Sequence, residues 1–419
     1  MDKLFHIKNS DENNEDFGHI IHNKSQRTFY PTTINEISQI LSYCRHEQIP
    51  ISCRGQSHST YGQSQSLNGI VMNISEYNKI IDIGHDSITV EAGIKWSDVV
   101  NVTLKQQLTP PVLTDYLELS VGGVLSMGGL GGQTHRYGTV ADNILAIKVI
   151  TVNGEIHHCS REENTELFYD SFSTLGQFTI ILEATIKLIT SPTICKCYNL
   201  LYDNLQNYLE DSTYLLKNKL SSYLEGQFIW QENQWTYMIE LVIYDVDIDV
   251  SSLHHISYSI EEKSYYDFIY RMNTQIPFLH SNGTWSNYHP WINLLLPHEE
   301  IYPNMLKIIS QLTIKNTGGW PVLLYPLDTS LFYNTYFMTP STDVIWIFAI
   351  LRQTNNVEDA KILVEQNSEM LIKNAKVYPV GSVNINWKEH YGDKWKEFHI
   401  KKKQYDPLLL LGRGYNIKY

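Results

Sequence analysis

His58 lies in a stretch rich in hydroxyl, amide and glycine groups, CRGQSHSTYGQ at positions 53–63, which follows an apolar segment that begins at Ile49. A strand that runs into such a stretch exposes many hydrogen-bonding groups at one strand end, where ligands are commonly bound. Two interpretations of His58 are therefore open. It contacts a ligand, or it is a satisfied polar residue in a surface turn.

A second stretch, VGGVLSMGGLGGQTHRYG at positions 121–138, is dense in glycine. Each glycine costs roughly 0.5–1 kcal/mol in a helix or strand, so we expect neither element here. Glycine lets the backbone approach a ligand closely, and successive main-chain N–H groups form a concave anion site that suits a pyrophosphate. The alternative is a loop that only packs tightly against a neighbouring strand.

Two common nucleotide sites do not match this glycine pattern. No G-x-G-x-x-G lies between a predicted strand and a predicted helix with an acidic residue following, as a nicotinamide-binding Rossmann site requires. The Gly-Lys-Ser or Gly-Lys-Thr of a Walker loop does not occur either. FAD is the remaining common cofactor with a pyrophosphate and a long cradle built from loops, and the two stretches would form that cradle.

The elements around these stretches follow an α+β pattern. Thr33 and Glu36 stand at capping-box spacing before apolar residues on one helical face, which predicts a helix in the segment 32–48. A second helix is predicted after Trp96 with Ser97 as its cap, and Asn153-Gly154 joins two β-rich runs in a predicted hairpin. Further predicted strands are IPISC (49–53), GIVMNIS (69–75), SITVEAG (87–93), TIILEATIKL (179–188), YLEGQFIW (223–230), WTYMIELVIYD (235–245) and VIWIFAILR (344–352).

Length and composition restrict the class of protein. A chain of 419 residues exceeds the usual limit of one hydrophobic core, so we expect two domains with a boundary near positions 190–192. A net charge of -13 argues against a nucleic-acid surface, and five scattered cysteines do not indicate a disulfide framework. We expect no metal, because His298 lacks the second histidine of a zinc helix and His157-His158 point to opposite faces of a strand. The N-terminal residues hold no apolar stretch of signal-peptide length, and the longest apolar run, 344–351, is too short to span a bilayer. We therefore expect a soluble cytoplasmic protein without membrane contact.

The sequence resembles the cytokinin dehydrogenases, covalent flavoproteins of the vanillyl-alcohol-oxidase or PCMH type. The resemblance extends from Asp16-Phe17-Gly18 to the C-terminus, and its segments are RGQSHSTYGQ, LTDYLELSVGGVLSMGGLGGQTHRYG, NTELFYDSFSTLGQF, SYLEG, HPWINLLLP and YDPLLLL. It implies an α+β fold of two domains. The FAD-binding domain would combine residues 1–192 with 376–419, and residues 193–375 would form a substrate domain built on an antiparallel sheet covered by helices.

Carried over position by position, the resemblance implies that His58 is joined covalently to a methyl carbon of the flavin ring of FAD. The other implied cofactor-binding residues are Cys53, Gly55, Gln56, Ser57, Ser59, Gln63, Asp115, Ser120, Ser126, Leu130, Ile181, Tyr378, Gly412 and Tyr415. Two positions depart from the family pattern: Ser57 stands where a glycine precedes the flavin-bearing histidine, and Tyr415 stands where a glutamine is usual. No cysteine lies between Cys53 and Cys159, so a second flavin bond through cysteine is not expected.

The implied reaction is the oxidation of the secondary amine of N-isoprenoid adenines to an imine, which hydrolyses to adenine and an unsaturated aldehyde. Such a reaction needs a hydride acceptor at the carbon and a base at the N–H. Asp115 matches the family's base and Glu225 a substrate-contacting glutamate at the pocket mouth. The alternatives for these residues are a turn or capping aspartate and a solvent-facing strand residue.

The resemblance implies as partners an isoprenoid adenine and an electron acceptor. From charge and apolar-run length we expect no nucleic-acid or membrane partner, and we expect a monomer. Two other functions stay open at this point. One is a sugar or alcohol oxidase on the same flavin scaffold, and the other is a non-catalytic flavin-binding relative.

Overall fold

The structure, a computed structural model, describes residues 8–10, 15–370, 374–381 and 384–419. The strands of this part of the chain are β1 (Lys8–Ser10), β2 (Arg27–Tyr30), β3 (Ile51–Arg54), β4 (Ile70–Asn73), β5 (Ile80–Ile83), β6 (Ser87–Glu91), β7 (Leu108–Thr109), β8 (Ile144–Ile150), β9 (Ile156–Ser160), β10 (Ile180–Lys187), β11 (Ile189–Thr190), β12 (Ile194–Tyr202), β13 (Tyr223–Gln231), β14 (Gln234–Tyr244), β15 (Ser257–Ser264), β16 (Ile292–Pro297), β17 (Val322–Asp328), β18 (Val344–Ile350) and β19 (Lys376–Val377).

The α-helices of the same part are α1 (Ile34–Glu47), α2 (Trp96–Thr103), α3 (Val121–Met127), α4 (Thr134–Tyr137), α5 (Thr165–Asp170), α6 (Leu205–Lys217), α7 (Tyr265–Ile269), α8 (Arg271–Ser281), α9 (Ile301–Ile309), α10 (Ile314–Thr317), α11 (Val357–Glu369), α12 (Trp387–Tyr391) and α13 (Trp395–Tyr405). Within the described residues, no helix combines the length and the apolar character needed to cross a membrane.

Two sheets form the first half of the molecule. One has the strand order β1-β2-β4-β3, with β4 parallel to both β2 and β3, and the other has the antiparallel order β5-β6-β10-β8-β9. Helices α1, α2 and α3 share one continuous apolar core with both sheets. That core places the loop after β3 and the glycine-rich helix α3 in the same half of the molecule.

A large antiparallel sheet forms the second half, in the order β15-β12-β14-β13-β17-β18-β16-β19. Helices α6 and α9 contribute Leu209, Leu216 and Met305 to a core with this sheet. The α+β fold with an antiparallel second sheet is therefore confirmed. The sheet runs from Ile194 to Val377, two residues beyond the predicted limit at 375, and the domain boundaries themselves stay a prediction.

The C-terminal segment packs against the first half. Gly412 donates its N–H to the carbonyl of Ile51 at 3.2 Å, and the Ile51 N–H donates to the carbonyl of Leu410 at 2.9 Å. Behind this contact, Lys402 and Asp406 form an ion pair of 2.8 Å with neither side chain exposed to solvent. The C-terminal residues thus lie parallel beside the start of β3, the strand that leads into the His58 loop.

Most local predictions are confirmed. Helix α1 begins after Thr33, whose hydroxyl accepts the N–H of Glu36 at 3.3 Å. Strands β8 and β9 form the predicted hairpin, in which Gly154 has a φ of +85°. The predicted cap of α2 is wrong, because this helix begins at Trp96 after Lys95, and Ser97 lies inside it, buried.

The expectation that the glycine-rich stretch avoids regular structure is also wrong, because α3 and α4 both lie in it. Helix α3 buries Val121, Val124 and Leu125 completely or almost completely, and this burial offsets the cost of its glycines. Gly122 lets α3 pack closely against Ala92, the residue after β6, since a Cβ on Gly122 would lie 2.9 Å from the Cβ of Ala92.

Candidate active site

A cavity lies between the His58 stretch and the glycine-rich stretch, with about 1200 Å³ of empty space when the open solvent at its mouth is included. Its walls come mainly from the loop after β3, from α3 and the residues that flank it, from the segment that leads into β10, and from residues near Tyr378 and Tyr415. Polar side chains and glycine backbone from segments more than 300 positions apart thus meet around one cavity, as a long cofactor site requires.

Most of the predicted cofactor-binding residues line this cavity. They are Cys53, Gly55, Gln56, Ser57, His58, Ser59, Gln63, Ser120, Ser126, Ile181, Tyr378, Gly412 and Tyr415. Leu130 instead packs in an apolar cluster with Tyr325 and Phe337, and its neighbour Gly129 lines the cavity. Asp115 lies in a separate polar cluster described below, while Thr114 before it is part of the cavity wall.

The His58 loop is held by backbone and side-chain contacts with the N-terminal segment. The N–H of Phe17 donates to the carbonyl of Ser57 at 2.8 Å, and Ser59 donates its hydroxyl to Asp16 Oδ2 at 3.0 Å. Ser57 has a φ of +60°, the left-handed conformation that glycine adopts most easily. The loop therefore takes the shape expected for a glycine while carrying a serine, whose Oγ accepts a hydrogen bond from Arg54 Nε.

His58 is surrounded by aromatic rings. Its ring stacks on Phe17 with centroids 4.2 Å apart, and Phe17 also stacks on His289 at 4.0 Å. Tyr116 and Trp285 lie 4.8 and 5.9 Å from the His58 ring. Burial, with a smaller effect of His289, lowers the pKa of His58 to about 3, so its imidazole is neutral at physiological pH and keeps a nitrogen lone pair. His58 is partly buried and lines the cavity, which favours a ligand contact over a surface turn.

A polar cluster lies beside the cavity wall, around Asp115. Tyr223 donates its hydroxyl to Asp115 Oδ1 at 2.9 Å, and Arg271 Nη2 donates to the same oxygen at 2.8 Å. Asp115 thus accepts hydrogen bonds from β13 and from the first residue of α8. The side chain of Asp115 is one third exposed, so the carboxylate can meet a substrate.

Glu225 belongs to the same cluster. It is 6 % exposed, so it is not a solvent-facing strand residue, and its Oε1 has no hydrogen-bond partner among the described residues. Burial, and next the Asp115 charge, raise the pKa of Glu225 well above its ordinary value, although Arg271 opposes this. The pKa of Glu240, its partner on β14, is also raised, mainly by burial. The site therefore combines a carboxyl group in contact with Arg271 and a second, buried carboxyl group whose pKa is raised.

Comparison with known proteins agrees with this geometry. A family model described as "FAD binding domain" matches residues 25–160, and one described as "Cytokinin dehydrogenase 1, FAD and cytokinin binding" matches residues 238–418. An uncharacterized oxidoreductase, ORF5 in the fasciation locus of Rhodococcoides fascians, is 32 % identical over 96 % of this chain and 96 % of its own length. Cytokinin dehydrogenase 3 of Arabidopsis thaliana is 30 % identical over 96 % of this chain and 87 % of its own, and cytokinin dehydrogenase 1 is 28 % identical over 96 % and 80 %.

The chain belongs to the cytokinin dehydrogenase family. It is an FAD-dependent oxidoreductase, and its cavity suits the cofactor. The described lining contains no acidic side chain that would repel a pyrophosphate, and it presents the hydroxyls of Ser59, Ser64 and Ser120 with the backbone of several glycines. Gly55 is required for this shape, because a Cβ there would lie 1.9 Å from Ser120 Oγ.

Several residues of this cytokinin dehydrogenase-type site were not found from the sequence. Tyr223 stands two positions before Glu225 in SYLEG, on the same face of β13, and that spacing could have indicated it. Phe17 stands in the Asp-Phe-Gly segment that begins the resemblance. Arg271 and Trp285 lie in and just after α8, whose sequence has no pattern that would bring them to the site.

Proposed function

We propose that this FAD-dependent oxidoreductase oxidises the secondary amine of N-isoprenoid adenines, giving an imine that hydrolyses to adenine and an unsaturated aldehyde. The observation that carries the proposal is the Asp115 carboxylate, held at 2.8 Å by Arg271 beside the cavity that His58 and the glycine-rich stretch line. The names of the relatives support the substrate class.

Asp115 would act as the base. FAD, when bound, supplies the hydride acceptor. As hydride leaves the carbon, the amine nitrogen becomes acidic, and its proton passes to the Asp115 carboxylate. Both protein hydrogen bonds fall on Oδ1. Within the described part of the chain this leaves Oδ2 as the oxygen that receives the proton.

Glu225 would recognise the adenine. Its raised pKa favours the neutral carboxyl, which can donate an O–H hydrogen bond to a ring nitrogen and accept one through its second oxygen. A buried acid of this kind discriminates against substrates that lack a matching partner, because an unpaired polar group in a closed site is costly.

His58 would carry FAD covalently. A neutral imidazole is a nucleophile through its unprotonated nitrogen, and the stack with Phe17 and His289 limits the ring to one plane. We expect flavin to stay with the polypeptide after acid precipitation, and to be released by acid from a His58→Ala variant. His85→Ala, on the surface, is the matched control and should behave as wild type. Release of free FAD from the native protein would contradict the covalent bond.

The substrate test is anaerobic. Isopentenyl-adenine added to the purified yellow protein under nitrogen should bleach the flavin absorbance. Adenine should then appear in solution as the imine hydrolyses. Hexoses and simple alcohols should leave the spectrum unchanged. Bleaching by a hexose or an alcohol, with none by isopentenyl-adenine, would make the protein a sugar or alcohol oxidase instead.

A further inference from the structure

Arg271 is fixed in the polar cluster by contacts on every side of its guanidinium. Besides its bond to Asp115, its Nε lies 3.7 Å from Glu240 Oε1, and its Nη1 donates to the carbonyl of Phe268 at 3.2 Å. The guanidinium also hydrogen bonds with the Tyr223 hydroxyl and lies over the Phe268 ring, 4.5 Å from its centroid. Its orientation is therefore determined by the cluster.

The helix that carries Arg271 contributes little else to the core. None of the residues of α8 is buried, and Phe278 on this helix is 66 % exposed. One other side chain of its first turn, Asn273, donates to Glu118 Oε1 at 2.7 Å, in the same segment as Asp115. The start of α8 thus meets the Asp115 segment through polar contacts that side-chain substitutions can remove singly.

Three carboxyl groups surround this cation. Asp115 accepts a hydrogen bond from Arg271, and Glu240 Oε1 lies 3.7 Å from Arg271 Nε. Glu225 has no salt bridge among the described residues. The other titratable groups that face the cluster are uncharged or more distant: Tyr223 on β13, Tyr325 on β17, Tyr244 on β14, Cys195 and Cys197 on β12, and Lys263 on β15 near Glu240. Arg271 and the more distant Lys263 cannot together neutralise three carboxylates in this largely buried cluster, so at least one of them binds a proton.

We propose that Arg271 is a positioning residue that decides which carboxyl of this cluster is ionised: it holds Asp115 as the carboxylate and leaves Glu225 as the neutral acid. The assignment follows from the 2.8 Å contact that Asp115 has and Glu225 lacks. The raised pKa of Glu225 agrees with it. The catalytic meaning rests on the proposed function, since Asp115 is the base there, whereas the ionisation itself can be measured without any substrate.

The first test counts protons in the substrate-free holoenzyme. Arg271→Met removes the cation and keeps a long apolar side chain, and infrared spectroscopy near neutral pH reports the carbonyl band of each protonated carboxyl. We expect one additional protonated carboxyl in Arg271→Met compared with wild type, and we expect that added band to disappear in the double variant Arg271→Met with Asp115→Asn. Glu225→Gln should show one protonated carboxyl fewer than wild type.

Two control variants separate charge from shape. Arg271→Lys keeps the positive charge and should show the wild-type number of protonated carboxyls, even if its contact with Tyr223 is lost. Asn273→Ala removes the neighbouring contact of α8 and should leave the carboxyl bands unchanged. The same band pattern in wild type and in a folded Arg271→Met variant would overturn the proposal, as would a change of equal size in Asn273→Ala.

The second test connects the ionisation to the reaction. In Arg271→Met, the rate of anaerobic flavin reduction should fall roughly 10- to 100-fold near neutral pH and recover as the pH rises, because a carboxyl without its cation ionises at higher pH. Arg271→Lys should restore most of the rate. A uniform loss at all pH values would make Arg271 merely structural. If isopentenyl-adenine fails to reduce wild type, the proposed function fails, but the proton count still decides the role of Arg271.

Discussion

A Cβ atom on Gly55 would lie 1.9 Å from Ser120 Oγ and 2.8 Å from Ser120 Cβ. The loop that carries His58 therefore touches the residue that caps α3, with no space for a methyl group between them. This close approach joins the two stretches that form the FAD cavity.

Gly55→Ala should separate these two walls. We expect the variant to lose roughly 1–3 kcal/mol of unfolding free energy, as overpacked sites do, and to purify with less flavin. The measurement is the ratio of flavin absorbance to protein absorbance, together with urea denaturation. Gly84→Ala, where the nearest atom to the new methyl group would be 3.4 Å away, is the control.

Replacing Ser120 by glycine in the Gly55→Ala background removes both clashing atoms. Recovery of flavin content in this double variant is expected. Failure of Ser120→Gly to restore it would show that Gly55 is needed for a reason other than this contact.

Asp115→Asn keeps the shape of the side chain and removes the base. We expect flavin reduction by isopentenyl-adenine to slow by about 10²–10⁴-fold, the usual range for one positioned base, with flavin content unchanged. Stopped-flow bleaching under nitrogen measures this step, since reoxidation cannot mask it. Asp98→Asn, exposed on α2, is the control, and equal rates in wild type and Asp115→Asn would assign the proton to another group.

Asp16 should make stability depend on pH. This carboxyl is 2 % exposed, and burial raises its pKa from 3.8 to about 6, although the N–H of Gly62 and the hydroxyl of Ser59 oppose the shift. Between about pH 4 and 6 the folded chain holds a proton that the unfolded chain releases, so raising the pH across this window destabilises the fold.

Asp16→Asn removes this titration and retains a carbonyl acceptor for Gly62. Relative to wild type, the variant should gain unfolding free energy as the pH rises from 4 to 6, on the order of 3 kcal/mol in total. Chemical denaturation at matched flavin content measures the difference. A difference that is constant over pH 4–7 would show that Asp16 titrates normally.

Asp406→Ala should be strongly destabilising. Its carboxylate is the 2.8 Å partner of the fully buried Lys402, and it also accepts the backbone N–H groups of Leu410 and Leu411. Removing it leaves an uncompensated buried cation, which costs about 3–5 kcal/mol. Glu358→Ala breaks the exposed pair with Lys361 and should cost less than about 0.5 kcal/mol in the same urea titration. Comparable losses in both variants would contradict this account.

Local sequence signals were sufficient where neighbours along the chain decide the structure. Thr33 caps α1 because its hydroxyl reaches an N–H three residues away, and the apolar spacing of Ile37, Ile40 and Leu41 defines the buried face. The strands with β-branched runs, such as β18, were found in the same way. The resemblance then located His58, Asp115 and Glu225, although their roles stay predictions.

Where contacts between distant segments decide the local structure, predictions from neighbouring residues were wrong or could not be made. Helix α3 forms despite its glycines because its close packing against Ala92 buries apolar side chains in the core. The sequence alone does not show which residues pack against this helix. Ser97 is inside α2 because the N–H groups of Trp96 and Ser97 donate to the carbonyls of Leu119 and Leu117, twenty and more residues away.

The sequence by itself determined the α+β class, the FAD cavity's two glycine- and hydroxyl-rich walls and the family, because these depend on residue types within short segments. Only the tertiary structure decided the surroundings of the reactive groups. Arg271 contacts Asp115, which lies 156 positions earlier in the sequence. The rings of Phe17 and His58 are 41 positions apart in the sequence, and the fold places their centroids 4.2 Å apart. Charge balance and burial are properties of such long-range contacts, so the ionisation of the Asp115 cluster follows from the fold and not from any motif.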